Sequence, residues 1–265
     1  AYIYSHFEKD INYEAIKICE RVISKSFSFT SPYRVYMPKI YAAMIAATDI
    51  EPDEFISHAK AFEEQFNRSF SDNSGLGLLS FTAASLPGLD YKSIYYKALS
   101  IYNQMKDLHR FLTNDTDVVY AGLLALSPNL KDDVVDELVI MDDLLIHEYR
   151  LDNDYARLLS YILALCEGTA TTKVRRTMEL IQSSSSSFDR AVNYYYFVLH
   201  AILANLGVSL DRIQEDYKEV MTFLNAKELH ACILLLEYYA PNSITNYTWI
   251  IAILFRIAQN QTLHG

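Results

Sequence analysis

The chain has 265 residues, of which 51% are apolar, enough to form an extensive core along a long molecule. Only seven glycines and six prolines are present, so neither a disordered chain nor an all-β fold is expected. The formal net charge of −10 argues against nucleic acid, which needs a basic surface, and against anionic membranes.

Two series of residues run along the chain in step and define a repeat. Large aromatic residues recur at spacings of 41, 41, 38 and 39: Phe29, Phe70, Phe111, Tyr149 and Phe188. Helix breakers recur at spacings of 41, 40, 39 and 34: Pro87, Pro128, Gly168, Gly207 and Pro241. A period of about 40 residues is typical of helix-pair repeats. The sequence therefore predicts an all-α array of about six helix pairs, either an α-solenoid or an α/α partial toroid.

In chain order, a single domain (1–265) is predicted to begin with one helix and to continue in repeat units. The helix covers 8–27, and the units cover 30–70, 71–111, 112–149, 150–188, 189–224 and 225–265. Each unit contains a short helix A, a breaker, a longer helix B and an aromatic residue. A helices such as 118–127 are apolar around most of their circumference and are expected to be buried on both sides. B helices have one apolar face, formed for example by Phe55, Ala59 and Phe62, and are expected to lie outside.

Residues that cap helices follow both series. After the aromatic residue Tyr149 comes Asp152, and after the breakers come these cap candidates: Asp53, Asp90, Thr171, Ser209 and Ser243. Their side-chain oxygens can accept hydrogen bonds from the unpaired N–H groups of the first helical turn. We expect each aromatic residue of the series to pack back on the following helix as a hydrophobic staple.

Acidic clusters suggest two weak metal sites. The run 132–136 (DDVVD) matches the D-D-x-x-D pattern with which helical prenyl-diphosphate enzymes hold Mg²⁺, but acidic residues in a first turn also favour the positive end of the helix dipole. Four carboxylates near A-helix starts form the other candidate: Asp115, Asp117, Asp152 and Asp154. Helix-start charge and capping are the favoured interpretations of the two clusters, so no metal and no cofactor is expected.

Cysteine placement and the C-terminal segment bear on location and assembly. Cys19, Cys166 and Cys232 lie far apart in apolar helical runs, as expected for reduced, buried thiols of a cytoplasmic protein. No secretory signal is present at the start, and no segment is predicted to span a membrane. The strongly apolar helix 245–259 is expected to be covered by further sequence, to form a homodimer interface, or to be buried under the preceding helix pair.

Function is predicted from the placement of aromatic and polar residues on the A helices. Five residues near the middle of A helices are expected to line a concave, tyrosine-rich face: Tyr120, Arg157, Tyr161, Tyr195 and His200. Tyrosine offers a large contact area together with a hydroxyl, so the favoured hypothesis is a non-catalytic binding or scaffold protein for a peptide, protein segment or small ligand. The alternative is an enzyme with an acidic or metal-assisted site inside a closed toroid.

One stretch resembles a known family. The string 111–115 (FLTND) followed by 121–126 (AGLLAL) is similar to an uncharacterised family of bacterial all-helical proteins, in which F-L-T-x-x-D precedes an A-x-L-L-A helix. The resemblance covers about residues 100–165, and the second and fourth repeats depart from it, at 70–72 (FSD) and 149–152 (YRLD). It implies a bacterial cytoplasmic protein and supplies no activity and no catalytic residues.

Overall fold

A computed structural model describes residues 10–35, 38–67, 74–86, 88–108, 117–127, 130–184 and 194–224. Every regular element within these ranges is a helix, which confirms the all-α prediction. The chain divides into two compact units, with residues 10–126 in the first and 127–224 in the second among those described. The single domain over 1–265 remains a prediction.

The first unit is built from two rows of helices. Its helices are α1 (Tyr13–Ser26), α2 (Pro32–Val35), α3 (Pro38–Ala47), α4 (Pro52–Phe66), α5 (Ser74–Ala84), α6 (Tyr91–Leu108) and α7 (Asp117–Leu126). Helices α3, α5 and α7 contact one another in sequence, as do α1, α4 and α6. The rows are joined because α1 packs on α3, α4 on α5 and α6 on α7. This is helix-pair packing, in which each helix pair buries its apolar face on the neighbouring pairs.

The second unit repeats the arrangement. Its helices are α8 (Val134–Asp143), extended by a π-helical turn at Leu144–Glu148, α9 (Asn153–Ala164), α10 (Ala170–Ser184), α11 (Tyr194–Ala204) and α12 (Leu210–Leu224). Helices α9 and α11 form the A row, and α8, α10 and α12 form the B row. Helix α8 packs on α9, and α10 packs on α11. Both units therefore show the predicted alternation of A and B helices.

Burial follows the predicted difference between the two kinds of helix. On the A helices, all residues over 75–84, 117–125, 156–163 and 197–204 are buried. On α4, a B helix, Phe55, Ile56, Ala59, Phe62 and Phe66 are buried, while the other positions between Phe55 and Phe66 reach solvent. An all-round apolar helix is buried on all sides, and an amphipathic helix on one.

Three of the predicted caps are confirmed. Asp90 accepts from the backbone N–H of Lys92 and Ser93 (3.1 and 3.2 Å), Asp152 from that of Asp154 (3.0 Å), and Ser209 from that of Arg212 (3.4 Å). Of the others, Ser243 lies outside the described residues.

Two predicted caps are wrong. Thr171 lies inside α10, and Thr169 caps this helix instead, accepting from Thr172 N–H (3.4 Å). Asp53 also lies inside its helix, because Pro52 occupies the first helical position, where its fixed φ suits the helix and its missing N–H costs nothing.

The two described members of the aromatic series, Phe29 and Tyr149, are not fully buried. Phe29 is 79% exposed, so it is not a staple on the helix that follows, and Tyr149 is half-buried. Phe70, Phe111 and Phe188 lie outside the described residues, as do the breakers Pro87, Pro128 and Pro241. Of the breakers within the described ranges, Gly168 and Gly207 have φ of 113° and 79°, in the left-handed region that glycine adopts readily at helix ends.

A cluster of four rings forms the centre of the first unit. The Phe81 ring lies 5.2, 4.6 and 5.3 Å from the rings of Tyr33, Tyr41 and Phe55, measured between centroids. The Tyr33 hydroxyl donates to Glu63 Oε2 (2.7 Å), so this polar group of the cluster is paired. Aromatic residues on α2, α3, α4 and α5 thereby tie these four helices together.

Cysteines in the described part of the chain are buried, as predicted. Cys19 on α1 and Cys166 after α9 are free thiols, and Cys232 lies outside the described residues. Burial raises the pKa of the Cys19 thiol to about 11, with a smaller opposing effect from a backbone hydrogen bond. The neutral thiol is therefore the form held in the fold.

This pKa predicts a loss of stability at alkaline pH. In the unfolded chain the thiol has a pKa of about 8.5, so between this value and about 11 the unfolded state loses a proton that the folded state keeps. The contribution is fully present below the lower value and falls by at most about 1.4 kcal/mol per pH unit above it. Urea unfolding at pH 8, 9 and 10 should show a steeper decline for the native protein than for Cys19→Ala, and parallel declines would contradict the prediction.

Candidate functional site

The described side chains of the five predicted ligand-binding residues are buried. Tyr120 lies on α7 in the first unit, and Arg157, Tyr161 and His200 lie on α9 and α11 in the second. Tyr195 also belongs to α11, but its side chain lies outside the described part of the structure. Because the A helices are covered by their neighbours, a ligand would reach these side chains only after a local opening. Their predicted role in binding stays a prediction.

The carboxylates of the second weak metal site have local partners. Asp152 caps α9, and Asp154 forms an ion pair with Arg157 (2.9 Å). Asp117 is buried at the start of α7 in the first unit, and Asp115 lies outside the described residues. Within the described ranges, no three His, Cys, Asp or Glu residues are grouped so that they could hold a metal ion.

The D-D-x-x-D run lies at a helix start, as the favoured interpretation requires. Helix α8 begins at Val134, so Asp132 and Asp133 precede it and Asp136 lies in its first turn. All three carboxylates are exposed. Here they interact favourably with the positive end of the helix dipole.

A cleft in the second unit lies between the turns that follow two successive A helices. It has a volume of about 510 Å³ and is lined by Glu167, Gly168, Thr172, Arg176, Asn205, Leu206 and Gly207. Thr172 and Arg176 are four positions apart and lie on one face of α10, and Gly168 lies in the turn before this helix. The opposite wall is the turn after α11, centred on Gly207, the repeat equivalent of Gly168. Clefts of this size suit small ligands or short peptide segments.

Arg176 fixes the geometry of this cleft. Its Nε donates to the carbonyl oxygen of Ala204 (2.7 Å), and its Nη2 donates to that of Val208 (2.6 Å). These carbonyls lie at and beyond the C-terminus of α11, where backbone acceptors lack helical partners and where a cation favours the dipole. The guanidinium is thus held at one edge, and its orientation is set.

Asn205 adds a second tie across the cleft. Its Nδ2 donates to Thr177 Oγ1 (3.0 Å) and to the carbonyl oxygen of Ala201 (2.7 Å). Both amide N–H groups are therefore used, and the Oδ1 atom is the part of this side chain that can still accept. Together with Arg176, this joins α10 to the end of α11 on two sides of the cleft.

A buried ionic group holds the other wall. Glu137 on α8 lies 2.9 Å from the Nζ of Lys173 and 3.1 Å from the Nζ of Lys131. Lys173 is fully buried and its ammonium has no hydrogen bond within the described residues, so the ion pair is its compensation. Lys131 also donates to the carbonyl oxygen of Gly168 (3.3 Å). The Gly168 turn is therefore attached to α8 through Lys131.

The sequence indicated the two glycines of the cleft but not its polar side chains. Gly168 and Gly207 belong to the breaker series, so the repeat itself indicated that equivalent turns would be neighbours. Arg176 and Asn205 carried no signal, because each is an ordinary polar residue on or beside an amphipathic helix. Glu137 likewise carried no signal as a buried residue, and the structure pairs it with Lys173 of the next B helix.

A known protein family matches most of the chain. Residues 1–236 match the family described as a protein of unknown function, DUF4003. The chain belongs to the DUF4003 family. This agrees with the resemblance to an uncharacterised family noted from the sequence. Comparisons of this DUF4003 protein with curated proteins and with solved structures gave no match.

In the part of the chain that the structure describes, none of the helices is both long and apolar enough to cross a bilayer. The apolar helix predicted over 245–259, with its proposed dimer interface, lies outside the described residues.

Proposed function

We propose that this DUF4003 protein is a non-catalytic binding protein of the bacterial cytoplasm that takes a peptide or protein segment. The observation that carries the proposal is the cleft on α10. Four of its lining residues, Glu167, Gly168, Thr172 and Gly207, are exposed, whereas the described side chains of the predicted A-helix site are buried. A ligand can therefore reach the cleft without any rearrangement of the helices.

The walls of the cleft support a binding role because they are held in place before a ligand arrives. Arg176 and Asn205 fasten the turn after α11, and Lys131 fastens the turn at Gly168. A preformed site loses little conformational entropy on binding, which favours affinity. The lining also mixes a cation, a carboxylate, an amide and a hydroxyl with the apolar Leu206, as expected for a site that reads a polar backbone.

A peptide display library selected on the full chain tests this function. Peptides enriched on the native protein should bind Thr172→Trp at least about tenfold more weakly, since the indole fills the cleft. The matched control is Thr171→Trp, an exposed neighbour on the same helix that does not line the cleft, and it should bind as the native protein does. Failure to enrich any peptide would overturn the function, and equal loss or equal retention in both variants would overturn the assigned site.

A further inference from the structure

We propose that the ligand of this cleft presents a carboxylate to the end of the Arg176 guanidinium. The inference rests on the proposed peptide-binding function and specifies what the site recognises. It concerns a chemical group that peptides carry at the C-terminus and on Asp and Glu side chains.

Arg176 has N–H donors that are not used within the described residues. A guanidinium has five N–H groups in a fixed planar arrangement. Two of them, one on Nε and one on Nη2, donate to the carbonyl oxygens of Ala204 and Val208. Of the other three, two on Nη1 and one on Nη2, none donates to an atom of the described residues.

The remaining donors of Arg176 are arranged so that they can pair with a carboxylate. Because Nε and Nη2 share one edge of the guanidinium, the end of the group keeps one N–H on each Nη nitrogen. Two parallel N–H groups match the two oxygens of a carboxylate, and such paired, charge-assisted hydrogen bonds are the strong ones. Since the other edge is anchored to the backbone, the guanidinium keeps this orientation without further ordering.

The side chains in and behind the walls of the cleft include more cations than carboxylates. Three cations, Arg176, Lys131 and Lys173, line the cleft or hold its wall, against the carboxylates of Glu137 and Glu167. The site is therefore locally positive within a chain of net charge −10. Glu167 is exposed, so solvent and salt screen its repulsion of an incoming anion.

Asn205 supplies a hydrogen-bond acceptor in the lining of the cleft. Asn205 Oδ1 accepts from no atom of the described residues, and Asn205 lines the cleft together with Arg176. A peptide carries N–H groups next to its carboxylate, either at the terminal residue or beside an acidic side chain. Arg176 and Asn205 thus offer complementary donors and acceptors to one peptide end.

Four pools of hexapeptides with an N-terminal dansyl group, which carries no carboxylate, test the inference by fluorescence polarisation with the full chain at low salt. They combine a free or an amidated C-terminus with the presence or absence of Asp and Glu. Loss of the recognised carboxylate should weaken binding about tenfold or more. Dependence on the free terminus assigns the terminal carboxylate, and dependence on Asp and Glu assigns the side chain.

Variants of two adjacent arginines localise the effect. Arg176→Gln should abolish the preference for carboxylate pools, while Arg175→Gln, which breaks only an exposed pair with Glu179, should retain it. Arg176→Lys keeps the charge without the paired donors and should retain only part of the preference. Circular dichroism checks that each variant is folded.

Two outcomes separate this inference from the function on which it rests. Equal binding of all four pools by the native protein would overturn the carboxylate proposal and leave peptide binding intact. Binding of none of the pools would overturn the proposed function as well. Both comparisons use the native chain, so misfolding of a variant does not remove the test.

Discussion

Glu137→Gln should lower the free energy of unfolding of the second unit by about 3–5 kcal/mol. The change removes the carboxylate that faces the fully buried ammonium of Lys173 at 2.9 Å. An uncompensated charge in the interior is costly, because it has lost its hydration and gains no opposite charge in return. Urea unfolding followed by circular dichroism at pH 7 measures the effect.

Two further variants show whether the buried charge is the cause. Lys173→Met in the Glu137→Gln background should recover much of the lost stability, since it removes the orphaned ammonium and fills similar space. Glu179→Gln is the matched control, because it breaks an exposed ion pair with Arg175 (3.0 Å) and should cost no more than about 0.5 kcal/mol. A Glu137→Gln protein as stable as this control would contradict the role assigned to the pair.

Phe81→Ala should destabilise the first unit by about 3–5 kcal/mol. Phe81 is fully buried, and its ring contacts those of Tyr33, Tyr41 and Phe55. Truncation leaves a cavity between four helices that pack around it, and the surrounding rings lose contacts that relaxation restores only in part. Thermal and urea unfolding should both show the loss.

Phe29→Ala is the control for this prediction. Phe29 is a member of the aromatic repeat series, but it is 79% exposed, and its ring faces the Arg34 guanidinium at 5.4 Å. Its truncation should change stability by no more than about 0.5 kcal/mol. If Phe29→Ala were the more damaging of the two, the aromatic series and not the cluster around Phe81 would form the core.

The fold class was accessible from sequence because the signals that specify it are local and repeated. The A and B helices differ in how apolar residues are distributed over three to four positions, and the structure buries them accordingly. Caps were predictable where a polar residue directly followed a turn, as at Asp90 and Ser209. They failed at Asp53 and Thr171, where a proline or a more favourable threonine nearby set the helix start.

The candidate site was less accessible. Its glycines were visible as repeat breakers, but Arg176 and Asn205 matter because of partners more than twenty residues away. Arg176 donates to carbonyls at and beyond the end of α11, and Asn205 donates to the Thr177 hydroxyl on α10. The five A-helix residues selected from sequence include four whose side chains the structure buries, since position along a helix does not indicate which side its neighbours cover. Exposure is a property of the packed assembly and is not encoded by periodicity alone.

By itself, the sequence determined an all-helical chain of alternating A and B helices with a period of about 40 residues, because helix periodicity and helix breakers act over a few neighbouring residues. Only the tertiary structure decided that Glu137 and Lys173 are buried together, that Phe29 is left outside the core, and that Arg176 is anchored to the end of α11 and lines a cleft. These outcomes depend on contacts between residues far apart in the chain. The cost of burying a charge or the gain from burying a ring is set by whatever those distant residues place beside it.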